Sequence, residues 1–564
     1  MRPFRFVFCC LIATSCTTSQ APDLIIYNAV VYTVNDSLPK VEAFGVKNGR
    51  ITAIGTTDNL VKTAGKSTRL VDASGKTVTP GFIEGHGHFL GMGRNQLILD
   101  LSKAATWDEI VRMVETASRE TKPGTWILGR GWHQEKWQQK PERLAEGYPT
   151  HHELSKRVPD HPVLLTHVSG HADIVNQKAM MEAGVRETTP DPENGQLVRE
   201  SNGKPAGVFL GAARAPLQGA LRNWRNTLSK EQLIQDEIKA AELAAQECLA
   251  HGVTSFHDAG STFLDIRLLK SLAEKEKLGV RLYVMIREPL DTLKKYAKET
   301  RMVGYGNDFL TVQAFKLSLD GALGARSAWM IEPYSDVALK TGIPYFPGEY
   351  FEAVSRLALE LNYQMCTHAI GDRANRETLS IYEKLLAENP GKDLRWRIEH
   401  AQHLHPDDIP RFGKSGIIAS IQAVHCTSDG PWVPVRIGQR RSENGAYRWR
   451  DLIDTQALIV NGTDAPVEPV DPVANFAASV TRRMTNGELF FPDQAMTREE
   501  ALRSMTLNPA YAAFEEKSKG RIAVGAWADF IVLSDNIMEA DEAALRNTTV
   551  LETWIAGQQV FKKN

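Results

Sequence analysis

The segment Pro80-Gly81-Phe82-Ile83-Glu84-Gly85-His86-Gly87-His88 carries two histidines two positions apart. In a strand, residues i and i+2 point to one face, so His86 and His88 can aim together at one cation. Such a pair arises easily by chance, and its company is what gives it weight. His368 closes Met365-Cys366-Thr367-His368, and His400 closes Arg397-Ile398-Glu399-His400. Asp464 lies in Asn461-Gly462-Thr463-Asp464-Ala465-Pro466, and Lys316 sits inside Phe315-Lys316-Leu317. Taken singly, these are a buried hydrogen-bonded histidine, a turn aspartate and a salt-bridged lysine. Together, each at the end of an apolar strand-like run, they read as a metal centre, since imidazole and carboxylate suit divalent ions such as zinc.

The elements that must position them alternate along the chain. Eight short apolar runs read as strands: Gly81 to His86, Val253 to Phe256, Arg281 to Ile286, Thr311 to Leu317, Gln364 to His368, Arg397 to His400, Ile417 to Ile421 and Ala457 to Val460. Helical stretches separate many of them, such as Glu231 to Ala250 with Leu233, Ile234, Ile238, Ala241 and Ala245 expected on one face. This is the pattern of an α/β protein with a (β/α)8 barrel, a fold that carries chemistry at the C-terminal ends of its strands. The distance from His88 to Val253 is too long for one crossover, so residues 100–228 read as an inserted subdomain over the barrel mouth. Apolar runs punctuated by turn residues occupy both chain ends, which suggests one small β-sandwich assembled from them. The expected division is 1–22 as signal and linker, 23–79 and 507–564 as the two parts of the sandwich, and 80–506 as the barrel.

Composition sets the outer bounds. The chain has 564 residues, 42% hydrophobic and 24% charged, with a net charge of −2. These are globular values, and the near-neutral balance gives no electrostatic reason to expect nucleic acid as a partner. No apolar run approaches the roughly 20 residues needed to span a bilayer. Residues Arg2 and Arg5, an apolar run from Phe6 to Ile12 and the small residues before Cys16 have the layout of a secretory signal. They resemble a bacterial lipoprotein signal, which implies lipidation of Cys16 and a periplasmic or cell-envelope location. Membrane contact would then be through that lipid anchor alone, and a soluble exported form is the alternative. Cys248, Cys366 and Cys426 are far apart, form no CxxC pair, and read as small buried apolar residues.

Several segments resemble the metal-dependent amidohydrolase superfamily, in particular amidohydrolase family 3 and its N-substituted formamide deformylase-like branch. They are Pro80 to His88, Phe315-Lys316-Leu317 with Asp320-Gly321-Ala322-Leu323-Gly324, His368 to Asp372, Arg397 to Gln402 and Gly462 to Pro466. The resemblance implies a distorted barrel with a two-part β-sandwich. It implies that His86, His88 and Asp464 hold one divalent ion and that His368 and His400 hold a second. Zinc is favoured, and iron or manganese also fits. Lys316 matches the lysine that is N6-carboxylated and bridges two metals in binuclear members; unmodified Lys316 with a single metal is the rival. The implied reaction is hydrolysis of a non-peptide carbon–nitrogen bond of a small amide-like molecule, N-formyl or N-acyl, with Asp464 moving the proton. A deaminase or cyclic-amide hydrolase on the same site, or an inactive surface binding protein, are the alternatives. Trp132, His171, Arg326 and His425 are the candidate substrate contacts. The assembly state is open, a homodimer included.

Overall fold

The computed structural model describes residues 21–563 apart from 135–136, 169, 171 and 193–194. Cys16 and His171 therefore lie outside the described residues. Eight parallel strands follow one another in chain order: β1 (Phe82–Gly87), β2 (Val253–Ser261), β3 (Arg281–Ile286), β4 (Leu310–Ser318), β5 (Gln364–Ala369), β6 (Arg397–His400), β7 (Ile418–Ile421) and β8 (Ile459–Asn461). They form a nearly closed barrel, buried almost throughout, as a sheet covered by helices must be.

Inward side chains stack in layers. Tyr283 and Met285 of β3, Ala314 of β4 and Cys366 of β5 make an apolar layer with Ala259 and Ala513. Side chains alternate along a strand, so Lys316 and His368 stand on the same inward face, one layer nearer the C-terminal ends. The strands thus carry polar residues to the mouth on an apolar foundation.

β8 meets β1 along a seam closed by side chains. Glu84 accepts from the Thr463 N–H at 2.6 Å and from its hydroxyl at 3.0 Å, and the Asp464 N–H donates to the His86 carbonyl at 2.7 Å. Two glycines permit this approach. A Cβ on Gly85 would stand 2.5 Å from the Asn461 carbonyl oxygen, and one on Gly462 would stand 2.5 Å from the His86 nitrogen.

The insertion after β1 builds its own six-stranded sheet, in the order Gly195–Arg199, Pro205–Gly211, Ala172–Val175, Val163–His167, Ile127–Trp132 and Leu99–Asp100. Helix Lys230–Ala250 returns the chain to β2, with Ser229 accepting the Gln232 N–H as its cap. Its buried face is Ala240, Ala241, Ala244, Ala245 and Cys248, while Ile234 is exposed. Ala241 and Ala245 of the expected face are thus buried and Ile238 packs against the core, while Ile234 turns outward. The helix crosses Gly93 so closely that a Cβ there would overlap the Ala240 backbone, and only small residues fit such a crossing.

The sandwich comes from both chain ends. One sheet runs Arg50–Gly55, Ala43–Lys47, Leu24–Tyr27, Arg69–Asp72; the other runs Gln558–Lys562, Val550–Ile555, Phe530–Leu533, Thr77–Pro80, Val30–Tyr32, Lys40–Val41. Phe530 joins the layers, edge-on to Phe44 at 5.0 Å and stacked on Trp554 at 5.2 Å.

Candidate functional site

The ends of β1, β4, β5, β6 and the turn after β8 converge. His86 Nε2 lies 3.2 Å from Lys316 Nζ and 3.6 Å from Asp464 Oδ1. His88 Nε2 lies 3.2 Å from the same Asp464 oxygen. Ligand-capable atoms of His86, His400 and Asp464 lie within 4.8 Å of one another. The His400 ring is 4.8 Å from that of His86 and 4.4 Å from that of His368. His86, Lys316, His400 and Asp464 are buried, while the His88 side chain is about one-third exposed and marks the open side.

Backbone geometry brings two of these residues into place. Arg397 and Glu399 share one face of β6, so strict alternation would turn His400 to the other. His400 instead has φ 79° and Ala401 φ 42°, a left-handed step that swings the imidazole into the mouth. Asp464 likewise has φ 58°. Non-glycine residues in this region carry strain that the surroundings must hold, and such residues gather at functional sites.

Hydrogen bonds fix which nitrogen of each ring is presented. His86 Nδ1 bonds Glu399 Oε2 in a short contact, and His400 Nδ1 donates to Gln422 Oε1 at 2.7 Å, leaving Nε2 of both rings for the cluster. Glu399 is braced by Arg397, whose guanidinium also donates to the Gly85 carbonyl at 2.7 Å and the Ser420 hydroxyl at 2.8 Å. Arg397 also meets His257 Nδ1 of β2 at 3.0 Å, so one buried network ties four strands beneath the site. His368 Nε2 has no hydrogen bond among the described residues, although Asp320 Oδ1 is 3.5 Å away. Asp320 is taken up by backbone N–H groups of Trp329, Ile370 and Gly371.

Electrostatics make the cluster a set of lone pairs. Burial, with help from Lys316, lowers His86 to about 4 and His368 to about 3, and burial lowers His400 well below its usual value. All three imidazoles are neutral at pH 7. Burial alone would raise Asp464, but the surrounding histidines outweigh it and hold the carboxylate ionised. Burial lowers Lys316 to about 8, against the pull of Glu399 and Asp464. Neutral imidazoles and a carboxylate crowded together, one nitrogen without a partner, form a donor set that a divalent ion satisfies.

The structure treats the other expected residues differently. Trp132 is fully buried in the insertion core, donates Nε1–H to the Leu165 carbonyl at 2.9 Å and packs on Trp137 and His167. In this structure its surroundings are those of a packing residue. Arg326 is spoken for by a two-pronged pair with Asp336 at 2.7 and 3.1 Å, with Arg436 on the same carboxylate. His425 lies in the first turn of the helix after β7, Ala423–Asp429, is buried, and its Nε2 has no hydrogen bond among the described residues. Sequence reasoning passed over Glu84, Glu399, Arg397, Asp320 and Gln422. For Glu84, Arg397 and Glu399 the signal was present: charged residues inside apolar strand runs, where an unpaired charge costs too much to persist.

The Amidohydro_3 model, described as the amidohydrolase family, matches residues 69–561. The chain is 30% identical over 547 residues to the YtcJ protein of Bacillus subtilis (strain 168), covering 95% of this chain and 99% of that one. It is 26% identical over 545 residues to the N-substituted formamide deformylase of Arthrobacter pascens, covering 96% and 98%. A solved metal-dependent hydrolase of uncharacterised role from Pyrococcus horikoshii superposes with a TM-score of 0.75 at 25% identity, over 92% of this chain and 99% of that chain. The chain belongs to the amidohydrolase family, and with this site it is a metal-dependent hydrolase of carbon–nitrogen bonds other than peptide bonds.

Proposed function

We propose that the protein cleaves the C–N bond of a small N-formyl or N-acyl amine. The observation that carries this reading is the convergence of His86, His88, Lys316, His400 and Asp464, with His368 alongside, at the barrel mouth. The likeness to the formamide deformylase over nearly the whole chain supports the substrate class. A divalent ion, zinc in our reading, would be held by these residues and would supply activated water and a Lewis acid toward the carbonyl oxygen. Asp464, an anion within 3.2 Å of His88, accepts the proton of the attacking water and delivers it to the leaving nitrogen.

Lys316 has its own part. A lysine amine adds carbon dioxide only when neutral, forming an N–C bond and releasing a proton. At pH 8 an ordinary lysine is neutral for about 0.4% of the time, whereas one with a pKa of about 8 is neutral for about half. Carboxylated Lys316 would offer two oxygens where the ammonium offers none. The amino-terminal segment supports export, with Cys16 as the lipid-bearing residue, and the mass of the mature N-terminal peptide tests it.

The deciding experiment is metal analysis of the purified protein with a screen of N-formyl and N-acyl amines. Formate or another carboxylate plus free amine supports the reading. Ammonia instead places the activity with deaminases, and a metal-free protein inert to added zinc places it with binding proteins.

A further inference from the structure

We propose a second divalent-cation site, outside the barrel, formed by His151, His152 and Glu200 of the insertion. Ligand-capable atoms of the three lie within 4.8 Å of one another, and the two imidazole rings are 4.4 Å apart. Two histidines and one carboxylate are the donor set of many zinc sites that keep a fourth position open.

The surroundings hold this cluster in place. His151 Nδ1 bonds Ser155 Oγ at 2.8 Å, and that oxygen also accepts the Gln177 N–H at 2.7 Å. With Nδ1–H given to the serine, Nε2 of His151 is the nitrogen left to bind an ion, the arrangement usual for histidine ligands. His152 Nε2 meets Glu200 Oε1 at 2.9 Å, and Glu200 is set by its N–H donating to the Lys204 carbonyl at 2.9 Å across a tight turn. Gly207 of the strand Pro205–Gly211 makes room for the cluster. It has φ 88°, and a Cβ there would stand 2.6 Å from the Cβ of His151. His151 is buried, and burial together with His152 lowers it to about 4, so its imidazole is neutral and able to ligate across the physiological range.

Such an ion would clip the start of helix His152–Arg157 to the hairpin of Gly195–Arg199 and Pro205–Gly211. His152 also lines a cavity of about 870 Å³ with Trp107, Arg112, Lys140 and Arg143. A fourth ligand, water or a small anion, could reach the ion from there.

Zinc titration of the metal-stripped full chain, followed by equilibrium dialysis and thermal unfolding, tests this. Glu200→Gln keeps the side chain's size and removes its charge; His151→Asn keeps a polar group that can meet Ser155. Each should bind one zinc per chain fewer than the wild type and lose a step of zinc-induced thermal stabilisation. Each should also retain the metal held by His86, His400 and Asp464 at the barrel mouth. Equal stoichiometry in wild type and both variants overturns the proposal, and so does a lost zinc that proves to come from the barrel site, read as an equal loss of bound zinc and of turnover. Unfolding of the zinc-free variants at the wild-type temperature guards against misfolding, and should His151→Asn fail that control, Glu200→Gln decides alone.

Discussion

At the site, each histidine is useful only in the orientation its second nitrogen enforces. Glu399 fixes His86 and Gln422 fixes His400, so removing either partner frees a ring without removing a ligand. Glu399→Gln should weaken metal binding by about 10–100-fold, with turnover at saturating metal much closer to the wild type. A metal titration alongside kcat separates this from a direct role, which would lower kcat at saturation. Asp464→Asn keeps an oxygen that can face the ion and loses the base. We expect it to retain much of its metal and lose about 10²–10⁴-fold in kcat; undiminished turnover would take Asp464 out of proton transfer. The residues of this cluster were readable because strand ends and short glycine-flanked segments advertise them. The partners of Trp132 and Arg326 were not legible, because no local pattern announces Leu165 and Trp137 for one or Asp336 for the other.

The seam between β1 and β8 shows how a whole element depends on what glycine omits. Gly462→Ala would push a methyl group onto the His86 nitrogen and the Glu84 carboxyl, so we expect about 1–3 kcal/mol of destabilisation by urea unfolding. A pH signature accompanies it. Burial raises Glu84 to about 8 from the ordinary 4.5, outweighing the Thr463 and His86 donors. The folded protein therefore keeps a proton that the unfolded chain gives up between pH 4.5 and 8. Stability from this group is full below about 4.5 and is lost as the pH rises through about 8. Glu84→Gln should flatten that fall when urea midpoints are compared from pH 5 to 8; an unchanged slope would show that Glu84 does not titrate there. Strand identity was legible from apolar runs, but the seam was not, because it rests on absent side chains. The same is true of His400, where a left-handed step overrides the alternation by which strands are read.

Over the whole molecule, the sandwich gathers both chain ends and hands them to the base of the barrel through one buried charge pair. Arg281 of β3 is fully buried and meets Asp529 at 2.6 and 3.1 Å, while its guanidinium lies 4.6 Å from the Phe309 ring and 4.5 Å from that of Trp527. Asp529 also accepts the Ala556 N–H at 2.8 Å, and its carbonyl takes the Gly81 N–H at 3.0 Å just before β1. The β-rich ends were visible in the sequence, but a pair 248 residues apart was not, since nothing local links an arginine to its partner. Asp529→Ala would strand a guanidinium away from water, and we expect a loss of about 3–5 kcal/mol in chemical unfolding. Replacing both, as Arg281→Met with Asp529→Leu, removes the stranded charge together with the pair, so the double variant should be more stable than Asp529→Ala alone. A double variant worse than either single one would mean that the pair itself, and not the avoidance of an unpaired charge, joins the sandwich to the barrel.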